Sequence, residues 1–288
     1  MCLQQGATLS LLHPFSGDGL VRLAGEHELT VLYGVPTMWN DMLQTRRLAQ
    51  RETPHLRLAI SGGAALPAEV ARRLLDRFGC TVLDGYGMSE STGAGTMARP
   101  QAFKKEGSVG RSLPGLEVRV VDESGSPMPV GATGEVVIRG PVVMRGYWNR
   151  PDATAETLRD GWLHTGDLGR QDEEGDLWIV GRSKELVIRG GYNVYPREIE
   201  ELLYQHPAVR EAAVIGVPDD RLGEEVAAVV AFREGQTASG AELREWLSLR
   251  LAPYKLPRIY AALDALPKGS TGRSRSERST LLPSGPQV

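Results

Sequence analysis

The sequence has few cysteines, almost no excess charge and no long hydrophobic run. Each of these features excludes a class of protein or partner. Only two of the 288 residues are cysteines, Cys2 and Cys80, too few for a disulfide framework or a zinc site, and we interpret both as structural thiols. Lys and Arg number 33 against 36 Asp and Glu, which argues against nucleic acid or an anionic membrane as a partner. No hydrophobic run approaches the roughly 18 residues of a membrane span. We therefore expect a globular protein without a membrane span.

The start of the chain lacks the basic region of a secretory signal, and we therefore expect a cytoplasmic location.

The first third of the chain alternates helix and strand patterns in the way that builds a sheet covered by helices. The clearest helix is predicted over residues 67–78, where the apolar residues share one face and a glycine can end the helix. The apolar runs 56–60 and 81–83 on either side predict parallel strands. The loops 61–64 and 84–87 would then leave the carboxyl ends of these strands, the edge at which open α/β sheets bind ligands.

The patterns change along the rest of the chain. Between about residues 116 and 180, short apolar runs separated by Gly and Pro turns predict antiparallel strands. Beyond residue 182 a mixture of helix and strand patterns predicts a separate, smaller α+β domain. We therefore expect an α/β and α+β protein with a large domain over residues 1–181, a small domain over 182–272 and a disordered tail over 273–288.

Several common catalytic motifs are incomplete. The chain has no Gly-Lys pair, which excludes the phosphate-binding loop of P-loop proteins. Residues 93–98 have the spacing of a dinucleotide-binding glycine motif but do not join a strand to a helix. His27 and Glu28 lack the second histidine of a zinc protease, and no serine has the glycine neighbours of a lipase nucleophile. The sequence thus argues against these enzyme classes.

Four glycine-rich loops with fixed polar groups remain. Glycines let a backbone approach a flat or charged ligand, and an aromatic ring offers a stacking surface. Carboxylates can hold ribose hydroxyls or a metal ion. Together the loops predict a nucleotide site. The four segments are 84–90, 165–168, 181–185 and 189–196.

The order and spacing of these loops resemble the adenylate-forming superfamily, which contains the acyl-CoA synthetases, the adenylation domains of peptide synthetases and the luciferases. The resemblance runs from about Thr8 to Gly272. It implies part of a large adenylation domain, an α/β sheet plus a small antiparallel β-barrel, followed by a small mobile α+β domain. It also implies a two-step ligation of a small carboxylic acid. The carboxylate attacks the α-phosphate of ATP to give an acyl-adenylate and pyrophosphate, and the thiol of coenzyme A then displaces AMP.

The resemblance also implies roles in the nucleotide site. Tyr86 would stack on adenine, Ser89 would contact phosphate, and Asp167 and Arg182 would hold the ribose. Glu90 matches the catalytic carboxylate that binds Mg²⁺. The alternatives are core packing of Tyr86, a solvated Glu90, a turn-stabilising Asp167 and a surface salt bridge of Arg182. The full predicted nucleotide-binding set is Gly62, Gly63, Ala64, Asp84, Gly85, Tyr86, Gly87, Ser89, Asp167 and Arg182.

Other matched residues belong to the small domain and to the acyl pocket. Lys184 matches the hinge, and Gly190, Gly191 and Tyr192 match the loop that lines the tunnel for the pantetheine arm of CoA; ordinary turns are the alternative. Trp39 would lie at the mouth of the acyl tunnel, with core packing as the alternative. The segment 34–39 has no charge to grip an amino group, so a fatty acid is our first choice of substrate, with malonate or an aryl acid second. An amino-acid adenylation domain stays a third possibility.

Two departures from the family pattern bear on activity. Family members are usually much longer, and the region absent here would carry the phosphate loop and one wall of the acyl tunnel. Arg273 stands in the place of the catalytic lysine, and its planar fork does not replace a compact ammonium group. A one-nucleotide deletion would explain both Arg273 and the polar residues after it. We therefore expect an impaired ligase or a non-catalytic remnant that binds nucleotide, CoA or a partner, either as a homodimer or with a separately encoded N-terminal part.

Overall fold

The computed structural model describes residues 3–45, 53–64, 66–100 and 105–267, which form three sheets in chain order. In the first sheet, strands β1 (Val31–Gly34), β2 (Leu58–Ser61) and β3 (Thr81–Tyr86) run parallel. The short strands β4 (Thr96–Met97) and β5 (Arg111–Ser112) continue it in antiparallel pairing. The two parallel strands expected from the sequence are thus confirmed.

Among the described residues, three helices cover this sheet: α1 (Gly17–Glu26), α2 (Pro36–Gln44) and α3 (Ala68–Phe78). The helix expected over 67–78 is confirmed as α3, although Pro67 lies in the capping position and not in the first turn. Gly79 ends the helix in the left-handed conformation with φ of 69°, which a glycine adopts without steric cost. Buried apolar residues of the helices and strands form one core, which includes Val21, Trp39, Met42, Leu74 and Phe78.

The second sheet is antiparallel, as the sequence predicts. Its central strands are β6 (Glu117–Val121), β7 (Gly134–Arg139), β9 (Trp162–Gln171) and β10 (Leu177–Arg182), in the order β10-β9-β7-β6. Helix α4 (Pro151–Thr157) and the short strand β8 (Leu158–Arg159) pack at its side, and β8 pairs with β9. The sheet is open, so the small barrel that the resemblance implies takes the form of a half-barrel.

The third sheet belongs to the C-terminal part of the chain. Its strands are β11 (Val187–Arg189), β12 (Tyr192–Val194), β13 (Val209–Asp219), β14 (Gly223–Phe232) and β15 (Ile259–Ala262). The long hairpin of β13 and β14 is antiparallel, and β15 lies parallel to β14. The α+β pattern expected here is therefore confirmed. The boundaries 1–181 and 182–272 stay predictions.

Two helices pack on one face of this sheet, α5 (Pro196–Tyr204) and α6 (Gly240–Ser248). Ile199 and Leu203 of α5 meet Leu243 and Leu247 of α6 in a fully buried core. The Ser239 hydroxyl and the Glu242 carboxylate cap the start of α6 reciprocally, an arrangement that contributes about 1 kcal/mol to helix stability. The described residues contain no helix long and apolar enough to cross a membrane.

Candidate functional site

The loops that follow β2 and β3 lie side by side at the carboxyl edge of the first sheet. Ser61 pairs in register with Asp84 at the ends of these strands. The Gly62 N–H donates to the Gly34 carbonyl over 3.2 Å, which fixes the start of the loop that continues to Gly63 and Ala64. The predicted loops 61–64 and 84–87 therefore meet where ligands bind in open α/β sheets.

The glycines of the second loop are required by contacts within the protein. A Cβ atom on Gly87 would lie 2.5 Å from the backbone carbonyl carbon of Gly93, and one on Gly85 would lie 2.9 Å from the Met97 Cε. A backbone atom so close cannot be avoided by a side-chain rotation, so Gly87 accepts no side chain. The sequence pattern predicts that these glycines leave space for a ligand. In the structure they also allow the loop to pack against Gly93 and Met97.

Three predicted residues from different strands meet around one buried carboxylate. Asp167 on β9 is 5% exposed. The Tyr86 hydroxyl donates to its Oδ2 over 2.6 Å, and Arg182 Nε on β10 donates to its Oδ1 over 2.8 Å. We call Tyr86, Asp167 and Arg182 the Asp167 cluster. It joins the first sheet to the second, across 81 residues of sequence between Tyr86 and Asp167.

The Asp167 carboxylate affects the pKa of both side chains that bind it. The negative charge of Asp167 raises the pKa of Arg182. Burial, and then Asp167, raise the pKa of Tyr86, so its hydroxyl stays protonated and donates. A carboxylate has about four acceptor sites, so Asp167 can accept further hydrogen bonds while it holds both partners. About half of the Arg182 side chain is open to solvent, which leaves donors free to reach a ligand.

Glu90 lies in a short 3-10 turn, Ser89–Ser91, that also exposes Ser89. The Tyr147 hydroxyl donates to Glu90 Oε1 over 2.8 Å, and the Glu90 carbonyl accepts from the Met144 N–H over 2.7 Å. The carboxylate is partly exposed and held in one orientation. No group of three or more His, Cys, Asp or Glu that could hold a metal is found among the described residues. A single oriented carboxylate fits Mg²⁺, which is commonly bound by one or two carboxylates together with substrate phosphates.

Asp84 is placed differently from the rest of the predicted nucleotide set. Its carboxylate is buried, and it accepts from the Gly85 N–H over 3.1 Å. Burial raises the pKa of Asp84 to about 7, against the attraction of Arg197 on helix α5. The charge of Arg197 therefore acts on Asp84, while the Tyr86 hydroxyl, two residues later, binds Asp167.

The predicted CoA loop lies on the third sheet between β11 and β12. The Gly190 N–H donates to the Leu222 carbonyl over 2.8 Å, and the Tyr192 ring, 60% exposed, packs 4.9 Å from Tyr254. Gly191 between them is exposed. Beneath the loop, Arg189 pairs with Glu225 in a buried position. The loop thus offers an exposed backbone on a rigid base. Lys184 lies in the exposed turn Ser183–Glu185 that precedes this domain.

The structure corrects the position expected for Trp39. The indole is 0% exposed in the core under the first sheet, and its edge closes against the backbone of Gly34. A fully buried ring cannot lie at the mouth of a tunnel, so the alternative of core packing accounts for Trp39. Arg273 and the predicted tail 273–288 lie outside the described residues.

Sequence reasoning missed Tyr147 and Arg197. Tyr147 is 57 residues from Glu90, and Arg197 follows the expected start of a helix without any motif of its own. No local signal identifies either residue, because their importance lies in contacts that only the folded chain creates.

Comparison with known proteins gives consistent matches. The model of the AMP-binding enzyme family matches residues 1–148, and that of the AMP-binding enzyme C-terminal domain matches residues 198–273. A feruloyl-CoA synthase from an Amycolatopsis species is 42% identical over 272 residues, which cover 94% of this chain and 55% of the relative. A long-chain-fatty-acid–CoA ligase from Bacillus subtilis is 38% identical over 272 residues, 94% of this chain and 49% of the relative.

A solved structure matches the whole arrangement as well. The crystal structure of ATP-bound MatB from Rhodopseudomonas palustris has a TM-score of 0.88 at 40% identity, covering 95% of this chain and 54% of that one. The chain therefore spans about half the length of the curated relatives it matches.

Proposed function

The chain belongs to the AMP-binding enzyme family, and on this premise we propose that it is part of an ATP-dependent acid–thiol ligase, with ATP, CoA and a small carboxylic acid as substrates. The Asp167 cluster carries the proposal. It holds a buried, doubly hydrogen-bonded carboxylate at the junction of two sheets, beside the loops 61–64 and 84–87. This is a site for a nucleoside with paired ribose hydroxyls.

Each part of the site has a role in the proposed binding of ATP. Asp167 accepts from the ribose hydroxyls, and Arg182 donates to the same sugar. The Tyr86 ring lies against adenine, with its hydroxyl fixed by Asp167, and the backbone of Gly62, Gly63 and Ala64 lines the opposite side. Ser89 donates its hydroxyl to phosphate. Glu90, oriented by Tyr147, would hold Mg²⁺, which would neutralise phosphate charge during the transfer.

The proposed ligation has two steps. A carboxylate oxygen of the acid forms a bond to the α-phosphorus while pyrophosphate leaves, which gives an acyl-adenylate. The CoA thiol then loses its proton and bonds to the acyl carbon while AMP leaves. Lys184 would act as the hinge between the steps, and Gly190, Gly191 and Tyr192 would line the path of the thiol arm.

We propose a fatty acid as the first candidate for the acid, and malonate or an aryl acid as the second. The names of two relatives support fatty and aryl acids, since one is a long-chain-fatty-acid–CoA ligase and the other a feruloyl-CoA synthase. A cytoplasmic location belongs to the same proposal.

A second candidate function is supported by Arg273 in the place of the family's lysine. Under this second function the chain binds adenine nucleotide or CoA but does not complete the ligation. It would do so alone, as a homodimer or together with a separately encoded N-terminal part. Loss of one preorganised donor typically costs about 10²- to 10³-fold in rate, so adenylation would be the step most affected.

Two experiments test these functions. ATP–pyrophosphate exchange with fatty, malonic and aryl acids, on this chain and on Arg273→Lys, reports adenylate formation and identifies the acid. Calorimetric titration with AMP tests the nucleotide site separately. We expect Asp167→Asn to weaken AMP binding at least tenfold, because charge-assisted hydrogen bonds to the ribose are lost. Asp160→Asn, at an exposed turn, is the matched control.

The outcomes separate the two candidates. Exchange by either version supports the ligase. AMP binding without exchange supports the binding remnant. A folded chain whose AMP affinity is absent or unchanged by Asp167→Asn contradicts the assignment of the site.

A further inference from the structure

Helix α5 of the small domain contacts the large domain through two side chains one turn apart. The Arg197 guanidinium donates from Nη1 to the Ile179 carbonyl of β10. The Glu201 carboxylate accepts from the Ala68 N–H, at the start of α3, over 3.2 Å. The two side chains also face each other, with Arg197 Nε 3.6 Å from Glu201 Oε1. One face of α5 thus makes polar contacts with both the first and the second sheet regions.

Arg197 supplies positive charge to a set of carboxylates at this contact. It attracts Asp84 of the large domain and Glu200 and Glu201 of its own helix. Burial raises the pKa of all three acids, to about 7 for Asp84 and Glu200. The Arg197 side chain is only 13% exposed, so water screens these attractions weakly. An exposed surface salt bridge is screened by water and contributes little to stability, and this contact differs from it because Arg197 is mostly buried.

The contact spans the proposed hinge. Ile179 precedes Lys184 in the chain and Arg197 follows it, so a turn of the small domain about Lys184 separates Arg197 from the Ile179 carbonyl. The same turn separates Glu201 from the Ala68 N–H. Two residues on the large-domain side lie close in sequence to predicted site residues, since Ala68 follows the loop 61–64 and Asp84 begins the loop 84–87.

From this geometry we propose that Arg197 is a positioning residue that holds the small domain against the large one in the orientation of this structure. It does so by joining α5 to β10 and by lying beside Glu201, whose carboxylate accepts from the Ala68 N–H. The role of this orientation in ligation rests on the proposed function, but the contact itself does not. Arg197 touches no predicted substrate position, and it acts through the placement of Gly190, Gly191 and Tyr192.

Tryptic cleavage at the hinge tests the proposal in the full chain without any substrate. Arg182 and Lys184 are exposed cleavage sites, but the strands on both sides must move before a protease can bind the segment. We expect Arg197→Gln to raise the initial rate of cleavage at these sites about tenfold, equivalent to about 1.4 kcal/mol. Mass spectrometry assigns the cut, and cleavage after the exposed Arg250 is the internal reference for the stability of the same domain.

Three further variants make the test specific. Arg197→Lys keeps the charge and one donor and should restore most of the protection. Glu201→Ala should raise hinge cleavage by a smaller factor, because it removes the contact to Ala68 but leaves that to Ile179. Arg221→Gln, at an exposed turn of the same domain, should change nothing. Unchanged hinge cleavage in Arg197→Gln overturns the proposal, as does an equal rise at Arg250, which would mean general destabilisation. Neither result depends on ATP, acid or CoA, so failure here and failure of the proposed function are distinguishable.

Discussion

The buried ion pair under the proposed CoA loop gives a prediction whose size follows from the structure. Arg189 Nε lies 2.7 Å from Glu225 Oε1, Arg189 Nη2 donates to Glu225 Oε2 over 2.8 Å, and each side chain is 6% exposed. Arg189 Nη1 also donates to the Tyr254 carbonyl over 2.7 Å. The guanidinium thereby joins β11, β14 and the turn that carries Tyr254, the ring against which Tyr192 packs.

Arg189→Met keeps most of the side-chain volume but leaves Glu225 buried without its main partner. Removing one member of a buried pair typically costs about 3–5 kcal/mol. Arg258, 3.4 Å from Glu225 and half exposed, can compensate for part of this charge. We therefore expect a loss of about 3 kcal/mol in the free energy of unfolding of the small domain, at the lower end of that range.

The double variant Arg189→Met with Glu225→Gln separates two contributions to the free energy of unfolding: the loss of the ion pair, and the burial of a Glu225 charge that has lost Arg189. The amide of the new residue is neutral, and its oxygen can still accept from the Val226 N–H, which Glu225 Oε1 now does over 2.8 Å. We expect the double variant to be more stable than Arg189→Met alone by about 1–2 kcal/mol, because replacing both members of a buried pair costs less than breaking it.

Urea unfolding followed by far-UV circular dichroism measures both differences, and hydrogen exchange of the peptides of β14 assigns them to the small domain. Arg221→Met, at an exposed turn, is the matched control and should lie within about 0.5 kcal/mol of the parent. A loss below about 1 kcal/mol in Arg189→Met, or a double variant less stable than the single one, would refute the reasoning from burial.

Three further predictions concern single side chains. Cys80 is 1% exposed and burial raises its pKa to about 11, so iodoacetamide at pH 8 should leave the Cys80 peptide unlabelled in the native chain and label it in urea; labelling at equal rates would contradict this. Because burial raises the pKa of Asp84 to about 7, the folded chain holds this proton more tightly than the unfolded one, and Asp84 costs stability as pH rises. The stability of Asp84→Asn relative to the parent should therefore increase between about pH 4 and pH 7 and level off above, in urea titrations at each pH; a flat difference would exclude the raised pKa. Tyr147→Phe should lower the apparent Mg²⁺ affinity of the ATP complex about threefold to tenfold, because Glu90 loses the hydroxyl that orients it, without changing the unfolding midpoint by more than a few degrees; unchanged Mg²⁺ dependence would place Tyr147 outside the site.

Sequence patterns predicted the parts of the fold that depend on nearby residues. The helix α3 follows from its apolar face and the glycine after it. The apolar runs 117–121 and 134–139, which turns separate, predict two strands with the bounds of β6 and β7. The apolar run 211–217 predicts a strand, and β13 extends beyond it to Val209 and Asp219 because pairing with β14 continues past these apolar residues. Hydrogen bonding to the neighbouring strand determines where β13 begins and ends. The apolar pattern of one segment carries no information about that pairing.

The candidate site was only partly predictable for a related reason. Motifs identified Tyr86, Asp167 and Arg182 as site residues, and the structure brings these three together. The same reasoning grouped Asp84 with them, although its buried carboxylate accepts from the Gly85 N–H and is attracted by Arg197. Asp84 and Tyr86 lie two residues apart on β3 and therefore on the same side of the strand, but their side chains interact with different neighbours. The motif alone does not distinguish these two sets of contacts.

We expect the short segment that contains Asp84 and Tyr86 to couple the proposed nucleotide site to the small domain. Tyr86 and Arg182 both bind Asp167, and Arg182 directly precedes the turn that contains Lys184. The charge of Arg197 on α5 acts on Asp84, two residues before Tyr86. On the proposed assignment, a nucleotide that engages Asp167 and Arg182 contacts the residue next to the hinge turn, and Asp167 also binds Tyr86 close to Asp84. If it binds one orientation of the small domain more tightly, that orientation must bind nucleotide more tightly by the same factor, since the coupling between two sites is reciprocal. The AMP affinity of Arg197→Gln, compared with that of the parent, measures this factor directly: a difference gives the sign of the coupling, and equal affinities would show that nucleotide binds both orientations alike.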